Sequence, residues 1–382
     1  MESKNKVIYF DNASTTKPLS EIITTFNNVY EQHFANPSSN HLLGSKAHKL
    51  LEDARLQLLK VFQCPNHKVI FTSGATEAIN LAIKGYCYSH SNRGKHIITT
   101  FVEHPASLLS CKNLENEGFE VTYLKVNSEG KIDLNELKSS IKEDTILVSI
   151  MAVNNEMGTI YPIDEIADFL KTYPKVALFV DATQAIGKVK LDYNKIDMFA
   201  YSSHKINGLK GSGALILKSS ISLKPMSNGG GQENGIRSGT NDLANACCTS
   251  KATRIALENI DESTNKVSAI SHKIRMYVAS RPDLYEINSP RDGSPFIFNF
   301  SLLNKKAAVL VEALSNQNIF ISSTSACNSK YEAGSDVLKA MGKSEKLYKN
   351  TIRLSFDNNN TLEEADIFIK AIDKIMEEIK SD

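Results

Sequence analysis

Residues 201–213 read YSSHKINGLKGSG, and the rest of the chain is organised around this stretch. Mostly apolar runs at 197–201 and 213–217 flank it and predict two short buried strands. Lys205 therefore lies in a turn at a strand end, where catalytic groups of α/β sheets tend to lie. A lysine there can form a Schiff base with a carbonyl cofactor, whose phosphate Ser202 and His204 could bind. The alternative is a solvated lysine in a glycine-rich hairpin.

The sequence before this stretch predicts strands that alternate with helices. Apolar runs predict strands at 69–71, 96–100, 119–126, 146–151 and 176–180. Helical spacing or capping signals predict helices at 44–62 and 133–141, after 76 and from 105 onward. This alternation predicts an α/β fold with a parallel sheet covered on both faces. After about residue 260 the pattern changes and predicts a smaller α+β domain.

Polar side chains recur just after the predicted strands. They are Thr76, His104, Asn155, Asp181 and Lys205. Each has a plainer explanation, such as a structural histidine or a helix-capping aspartate. Because the carboxyl ends of strands in an open α/β sheet form its ligand crevice, five such residues together indicate a binding site.

Two loops have the composition of anion sites. Residues 72–77 form a small-residue turn between a strand and a helix, where backbone N–H groups can face a phosphate. A simple capping turn is the alternative, with Ser73 or Thr76 as the cap. The glycine-rich residues 229–240 are either a flexible linker or an anion site built from Arg237 and Thr240.

Composition describes an ordinary globular protein. The chain has 382 residues, 41% hydrophobic and 23% charged, with a net charge of +1. We therefore expect neither nucleic-acid nor membrane binding, and no apolar run is long enough to cross a bilayer. The six cysteines fit neither a zinc site nor a disulfide framework, so no metal ligands are predicted and a cytoplasmic setting is expected. Only Cys327 lies in a polar loop, which favours an accessible, reactive thiol.

Together these motifs resemble the cysteine desulfurases of the NifS/IscS type, in the class-V aminotransferase superfamily. The resemblance covers nearly the whole chain, through segments 71–77, 103–104, 153–156, 180–184, 202–205, 237–240, 325–327 and 352–353. It implies an aspartate-aminotransferase-like fold (pyridoxal-phosphate fold type I), with a large, mostly parallel-sheet α/β domain and a smaller α+β domain. The implied parts are an arm at 1–15 that packs with the small domain, a large cofactor-binding domain at 16–257 and a small domain at 258–382 carrying the catalytic cysteine loop.

The resemblance also implies pyridoxal 5'-phosphate as cofactor and L-cysteine as substrate. Lys205 would hold the cofactor and move protons, His104 would stack on its ring and serve as acid or base, and Cys327 would take the sulfur as a persulfide. Asp181 would face the pyridine nitrogen and Gln184 the phenolic oxygen. The phosphate would be bound by Ala75, Thr76, Ser202 and His204, with Thr240 from a second subunit. Asn155 and Arg353 would hold the substrate carboxylate.

The implied partners are a second copy of the chain and a sulfur-acceptor protein. The acceptor could belong to iron–sulfur cluster assembly, to tRNA thiolation or to DNA phosphorothioation. The first of these pathways would associate the protein with metal binding. Ser203, Leu209 and Asp357 depart from the family pattern without removing a required group. A selenocysteine lyase or another class-V aminotransferase, neither needing Cys327, is an alternative. A weakly active structural partner in a sulfur-transfer complex is another; loss of Lys205 or Cys327 would favour it, and both are present.

Overall fold

The computed structural model describes residues 7–323 and 334–378, whose strands form three sheets. The strands are β1 (Ile8–Tyr9), β2 (His67–Thr72), β3 (His96–Thr100), β4 (Glu120–Leu124), β5 (Thr145–Met151), β6 (Ala177–Asp181), β7 (Met198–Ser202), β8 (Gly213–Lys218), β9 (Tyr285–Ile287), β10 (Ile297–Leu302), β11 (Ile319–Phe320), β12 (Ser322–Ser323) and β13 (Thr351–Ser355). The helices are α1 (Ser20–Gln32), α2 (Leu42–Val61), α3 (Ala75–His90), α4 (Pro105–Asn116), α5 (Leu134–Ser139), α6 (Ile163–Leu170), α7 (Leu243–Glu258), α8 (Ile260–Ala279), α9 (Ala307–Ser315), α10 (Asp336–Ala340), α11 (Glu345–Lys349) and α12 (Leu362–Glu378). Short 3-10 helices span Tyr193–Lys195, Ser203–Lys205 and Glu233–Gly235.

The largest sheet has seven strands in the order β2-β8-β7-β6-β5-β3-β4. All neighbouring pairs are parallel except those of β8, which runs antiparallel to both β2 and β7. The remaining strands therefore all point the same way. Consequently the carboxyl ends of β2, β3, β5, β6 and β7 meet at one edge of the sheet, as the strand pattern predicted for a mostly parallel α/β fold.

Helices cover both faces of this sheet. Every residue of β5 and β6 is buried, and their side chains alternate between two cores. Val148, Ile150 and Leu178 pack on one face with residues of α2 and α6. Leu147 and Phe179 pack on the other face with residues of α3 and α4. Burial on both faces explains why these strands are apolar throughout rather than alternating with polar residues.

A second sheet, β12-β13-β10-β9, is antiparallel and forms its own core with α8, α9 and α12. Ile8 and Phe10 of the N-terminal arm belong to this core, and β1 pairs with β11. The change of core falls between α7 and α8. We therefore retain, as a proposal, an arm at 1–15, a large domain at 16–257 and a small domain at 258–382.

Some local elements differ from the sequence prediction. The helices α1 and α6 were not predicted, and neither has a side-chain hydrogen bond at its N-cap. Gly74, rather than Ser73 or Thr76, is the N-cap of α3.

Candidate active site

A pocket of about 220 Å³ opens at the carboxyl edge of the large sheet. The elements that end there contribute most of its lining, and the arm and β13 complete it. The lining residues are Ala13, Ser14, Ala75, Thr76, Ile79, His104, Met151, Val153, Asn155, Asp181, Thr183, Gln184, Ser202, His204, Lys205 and Arg353. The structure thus brings together every predicted site residue except Thr240, which lies elsewhere, and Cys327, which lies outside the described residues.

One end of the pocket is formed by the turn from β2 into α3. Gly74 adopts φ 152° and ψ 179°, a conformation essentially restricted to glycine. A Cβ on Gly213 would lie 2.8 Å from the Gly74 Cα, so position 213 needs glycine for this close approach. The backbone N–H of Ala75 donates to Ser202 Oγ at 2.6 Å. The turn therefore presents the positive end of a sixteen-residue helix to the pocket, a typical phosphate-binding arrangement.

His204 extends this end of the pocket. Its Nδ1 lies 3.0 Å from Thr15 Oγ1, and its backbone oxygen accepts from the N–H and hydroxyl of Thr16. Burial and the nearby positive charge of Lys205 lower the pKa of His204 to about 4. The ring is therefore neutral at pH 7 and can act as a hydrogen-bond donor without carrying charge.

Lys205 ends the Ser203–Lys205 3-10 helix that follows β7. Its Nζ donates to the carbonyl oxygens of Ala13 at 2.6 Å and Ser14 at 2.5 Å. Lys205 is therefore not the solvated lysine of a surface hairpin. The amine faces the pocket at a position set by the N-terminal arm.

Asp181 is the last residue of β6 and is 5% exposed. Its Oδ1 accepts the backbone N–H of Thr183 at 2.9 Å, and no ion pair of Asp181 is found within residues 7–323 and 334–378. The buried hydroxyl of Thr183 also has no hydrogen-bond partner in that part of the chain. A buried carboxylate and hydroxyl in this state fit a ligand that supplies hydrogen-bond donors, such as a protonated ring nitrogen.

His104 is the N-cap of α4, and its Nδ1 accepts the backbone N–H of Ala106 at 3.1 Å. Burial lowers the pKa of His104, although Asp181 opposes this effect. The neutral ring therefore carries its proton on Nε2, while Nδ1 is occupied by the cap. The resting ring can therefore donate a hydrogen bond from Nε2 but has no free lone pair with which to accept a proton.

Arg353 lies on β13, is 5% exposed and lines the pocket. Its Nη1 donates to the carbonyl oxygen of Asn155 at 3.0 Å, and its Nη2 donates to Asp11 Oδ1 at 2.9 Å and Ser14 Oγ at 2.7 Å. Its Nε has no partner within the described residues. A guanidinium held in this way can take a carboxylate ligand at its remaining donors.

Thr240 is exposed and lines a different pocket, next to the 211–213 turn. Two ion pairs anchor its loop to the large domain. Arg55 donates from Nη1 and Nη2 to the buried Glu233, each at 2.7 Å, and Arg237 Nε donates to Glu77 at 2.8 Å. The 229–240 segment is therefore anchored to the large domain rather than a free linker, and within one chain Thr240 does not reach the pocket of Lys205.

Several site residues were missed by the sequence analysis. Asp11, Ala13 and Ser14 contact Arg353 or Lys205, although no role in the site was predicted for their segment. Lys188, seven residues after Asp181, donates to Gln184 from a buried position. The signal for Lys188 was a lysine in an otherwise apolar stretch, whereas the contacts of the arm span more than 190 residues and left no local signal.

The pocket matches the chemistry of pyridoxal 5'-phosphate. It offers an amine, a buried carboxylate, the Gln184 amide and a helix N-terminus around one cavity. Within the described residues there is no group of three or more His, Cys, Asp or Glu side chains that could hold a metal ion, so the association with metal binding has no support there. No helix among the described residues is long and apolar enough to cross a membrane.

Comparison with known proteins agrees with this geometry. The family model for aminotransferase class-V matches residues 8–368. A NifS/IcsS protein homolog of Lactobacillus delbrueckii subsp. bulgaricus is 44% identical, with 97% of each chain covered. A protein named cysteine desulfurase IscS from Clostridium botulinum is 36% identical over 98% of this chain and 95% of its own. A solved structure described as a NifS-like protein superposes with a TM-score of 0.91 at 34% identity, covering 98% of this chain and 100% of the other.

Proposed function

The chain belongs to the class-V aminotransferase family, and we propose that it is a pyridoxal-phosphate-dependent cysteine desulfurase that converts L-cysteine to L-alanine and passes the sulfur to an acceptor. One observation carries the proposal most directly. The Lys205 amine, the buried Asp181 carboxylate and the helix N-terminus at Ala75 face a single pocket. The near full-length similarity to proteins of the NifS/IscS type supports the same function.

We assign the cofactor to this pocket residue by residue. The Lys205 amine would hold its aldehyde carbon, and Asp181 would keep a proton on its pyridine nitrogen. Its phosphate would lie at the turn formed by Ala75 and Thr76, with Ser202 and His204 beside it. When bound, the group supplies an electron-withdrawing ring next to the Cα of the amino acid.

The chain's own residues would then orient the substrate and move protons. Arg353 and Asn155 would hold the substrate carboxylate, with Asp11 and Ser14 fixing the guanidinium in place. Lys205, once its amine is free, would take the proton from Cα and return protons to the product. The ring of His104 would cover the cofactor and exclude water from its face.

The sulfur step would use Cys327, which lies outside the described residues. Its thiolate would attack the sulfur of the bound L-cysteine, so that an S–S bond forms and the Cβ–S bond breaks. The protein thiol becomes a persulfide, the substrate carbon is reduced, and protons delivered to carbon complete L-alanine. The outer persulfide sulfur would then pass to an acceptor protein.

A homodimer would complete the site. Three large apolar side chains close together in the sequence are exposed: Tyr30 (53%), Phe34 (75%) and Leu42 (71%). Residues 37–40, which lie between Phe34 and Leu42 in the sequence, line a pocket together with residues 230–234. An exposed apolar surface of this kind is typical of a protein interface. We propose that a second copy covers it and that the partner subunit's Thr240 reaches the phosphate.

A complementation experiment tests the shared site. Lys205→Ala and Thr240→Ala subunits, each impaired alone, would be co-produced and purified as hybrids. A hybrid dimer has one site with both an intact Lys205 and an intact Thr240, so activity should recover to about half of the parent's. Failure to recover activity in confirmed hybrids would contradict the composite site while leaving the desulfurase assignment untouched.

Five described cysteines are free: Cys64, Cys87, Cys111, Cys247 and Cys248. Burial raises the pKa of the Cys64, Cys111 and Cys248 thiols to about 12, so these side chains are poor nucleophiles. Free thiols support a cytoplasmic setting for the proposed enzyme.

The activity itself is tested with purified protein, pyridoxal phosphate and L-cysteine. The parent should show a visible absorption band with the cofactor and form alanine and sulfide in equal amounts when a thiol reductant is present. Lys205→Ala should lose both the band and the turnover. A parent protein that binds no pyridoxal phosphate, or that forms no alanine, would overturn the proposal.

A further inference from the structure

Lys188 is a buried cation that the proposed mechanism does not use. It lies in the turn after β6 and is 9% exposed. Its Nζ donates to Gln184 Oε1 at 3.0 Å. Lys188 forms no ion pair within the described residues. Its hydrogen-bond partner there is the side-chain amide of Gln184.

Burial without a salt bridge is costly for an ammonium group. Burial, together with the positive charges of Lys205 and Arg353, lowers the pKa of Lys188 to about 7, and Asp357 opposes this shift. These charged groups and the His204 ring, whose pKa Lys188 helps to lower, are the titratable groups that face Lys188 from the neighbouring elements. An apolar side chain of similar size would avoid this desolvation cost, so packing alone does not account for a lysine here.

The contacts of Lys188 determine which way the Gln184 amide points. Lys188 faces the amide oxygen, and Gln184 Nε2 donates to the carbonyl oxygen of Ala13 at 3.0 Å. Both contacts require the same orientation, because an ammonium group cannot accept a hydrogen bond and a carbonyl cannot donate one. The NH₂ group, with a second hydrogen, is therefore held on the side of Ala13 and Ser14, which line the pocket.

We propose that Lys188 is a positioning residue that holds the Gln184 amide as a hydrogen-bond donor to the phenolic oxygen of the cofactor and stabilises negative charge there. This inference rests on the proposed cofactor site. Lys188 acts through Gln184 rather than by touching the cofactor.

The test is a pH titration of the visible absorption band of cofactor-loaded protein, without L-cysteine. The band of lysine-bound pyridoxal phosphate changes with a proton held near its ring oxygen. Lys188→Met removes the donor that orients the Gln184 amide, so the proton should be held to higher pH. We expect the midpoint to rise by about one pH unit, the size expected for losing one hydrogen bond to a charged group. The control Lys190→Met removes an exposed lysine that pairs with Asp261 and should titrate like the parent.

A second pair of variants tests whether Lys188 acts through Gln184. In a Gln184→Ala background, Lys188→Met should add less than about a third of its shift in the parent, because coupled groups are not additive. A Lys188→Met protein that titrates like the parent, or an undiminished shift in the Gln184→Ala background, would overturn the inference.

A further variant distinguishes a folding defect from loss of the positioning role. If Lys188→Met does not bind the cofactor, Lys188→Gln replaces it in both comparisons, with the same expected direction of shift. Loss of cofactor binding by both variants, while Lys190→Met binds normally, would overturn a positioning role and make Lys188 a requirement of the fold. Absence of the band in the parent would instead refute the proposed cofactor site, so the two failures are distinguishable.

Discussion

Glu103 provides a quantitative test of the electrostatics beneath the site. It immediately precedes His104 and is 3% exposed. Its Oε1 accepts from Thr100 Oγ1 at 2.9 Å and from the backbone N–H of Met151 at 3.1 Å, while its Oε2 has no partner within residues 7–323 and 334–378. Burial, helped by the nearby Asp181 and opposed by the hydrogen bonds from Met151 and Thr100, raises the pKa of Glu103 from 4.5 to about 8. The side chain is therefore mostly a neutral acid at pH 7.

The perturbation is Glu103→Gln, which keeps the acceptor oxygen and cannot ionise. Because the folded pKa is raised, the unfolded chain releases this proton first, and the parent loses stability as pH rises from about 4.5 to about 8. Between pH 5 and pH 8 the linkage amounts to about 3.5 kcal/mol. Glu103→Gln lacks this pH-dependent loss. Its free energy of unfolding, relative to that of the parent, should therefore rise by about 3.5 kcal/mol between pH 5 and pH 8.

The assay is urea unfolding of the cofactor-free proteins at pH 5, 6, 7 and 8, compared pairwise. Removal of the cofactor keeps ligand binding from contributing to the stability difference. Glu143→Gln, at an exposed position, is the control and should show no such trend. A parent-to-variant difference that stays constant from pH 5 to pH 8 would refute a buried, neutral Glu103.

Two further predictions concern the anchors of the phosphate region. Arg55→Ala leaves the buried Glu233 carboxylate without its cation and should lower the free energy of unfolding by about 3–5 kcal/mol. Arg254→Ala, which breaks the exposed ion pair of Arg254 with Glu258 on α7, should lower the free energy of unfolding by less than about 1 kcal/mol in the same urea assay. Equal losses for the two variants would contradict the value expected for Arg55→Ala. Gly74→Ala would place a Cβ 3.2 Å from Ser202 Oγ and would force alanine into a conformation that only glycine adopts readily. Titration with the cofactor should therefore show a dissociation constant at least about tenfold higher than the parent's. Gly118→Ala is the control, because Gly118 also has a positive φ (86°) but its added Cβ would meet no atom within 4 Å. An equal loss of cofactor affinity in Gly118→Ala would contradict the argument that crowding at Gly74 weakens binding.

Sequence reasoning located the site because its main residues follow strands. Residues such as His104, Asp181 and Lys205 come directly after apolar runs, and the direction of the strands brings them to one edge. The antiparallel course of β8 was not predicted, since a buried strand is equally apolar in either direction. The close approach of Gly213 to Gly74 was not predicted, because it joins two turns that are far apart in the sequence.

The remaining parts of the site depend on contacts between distant segments. Ala13 contacts Lys205 through a backbone carbonyl, which has no side-chain signature in the sequence. Arg353 meets Asp11 across 342 positions, and neither residue predicts the other locally. The role of Lys188 depends on which amide atom it faces, which requires coordinates. Local patterns therefore predicted the positions of the site, and tertiary contacts determined the orientation and charge of its groups.

The most direct test of the account is a single-turnover measurement with L-cysteine and no reductant. The parent should form about one L-alanine per active site and carry an equal amount of persulfide, which peptide mass spectrometry should place on Cys327. Cys327→Ser should keep the visible band of the bound cofactor and form neither product, because a hydroxyl is a far poorer nucleophile toward sulfur. Continued formation of alanine and sulfide by Cys327→Ser at the parent's rate would contradict the account and favour a lyase without an essential thiol.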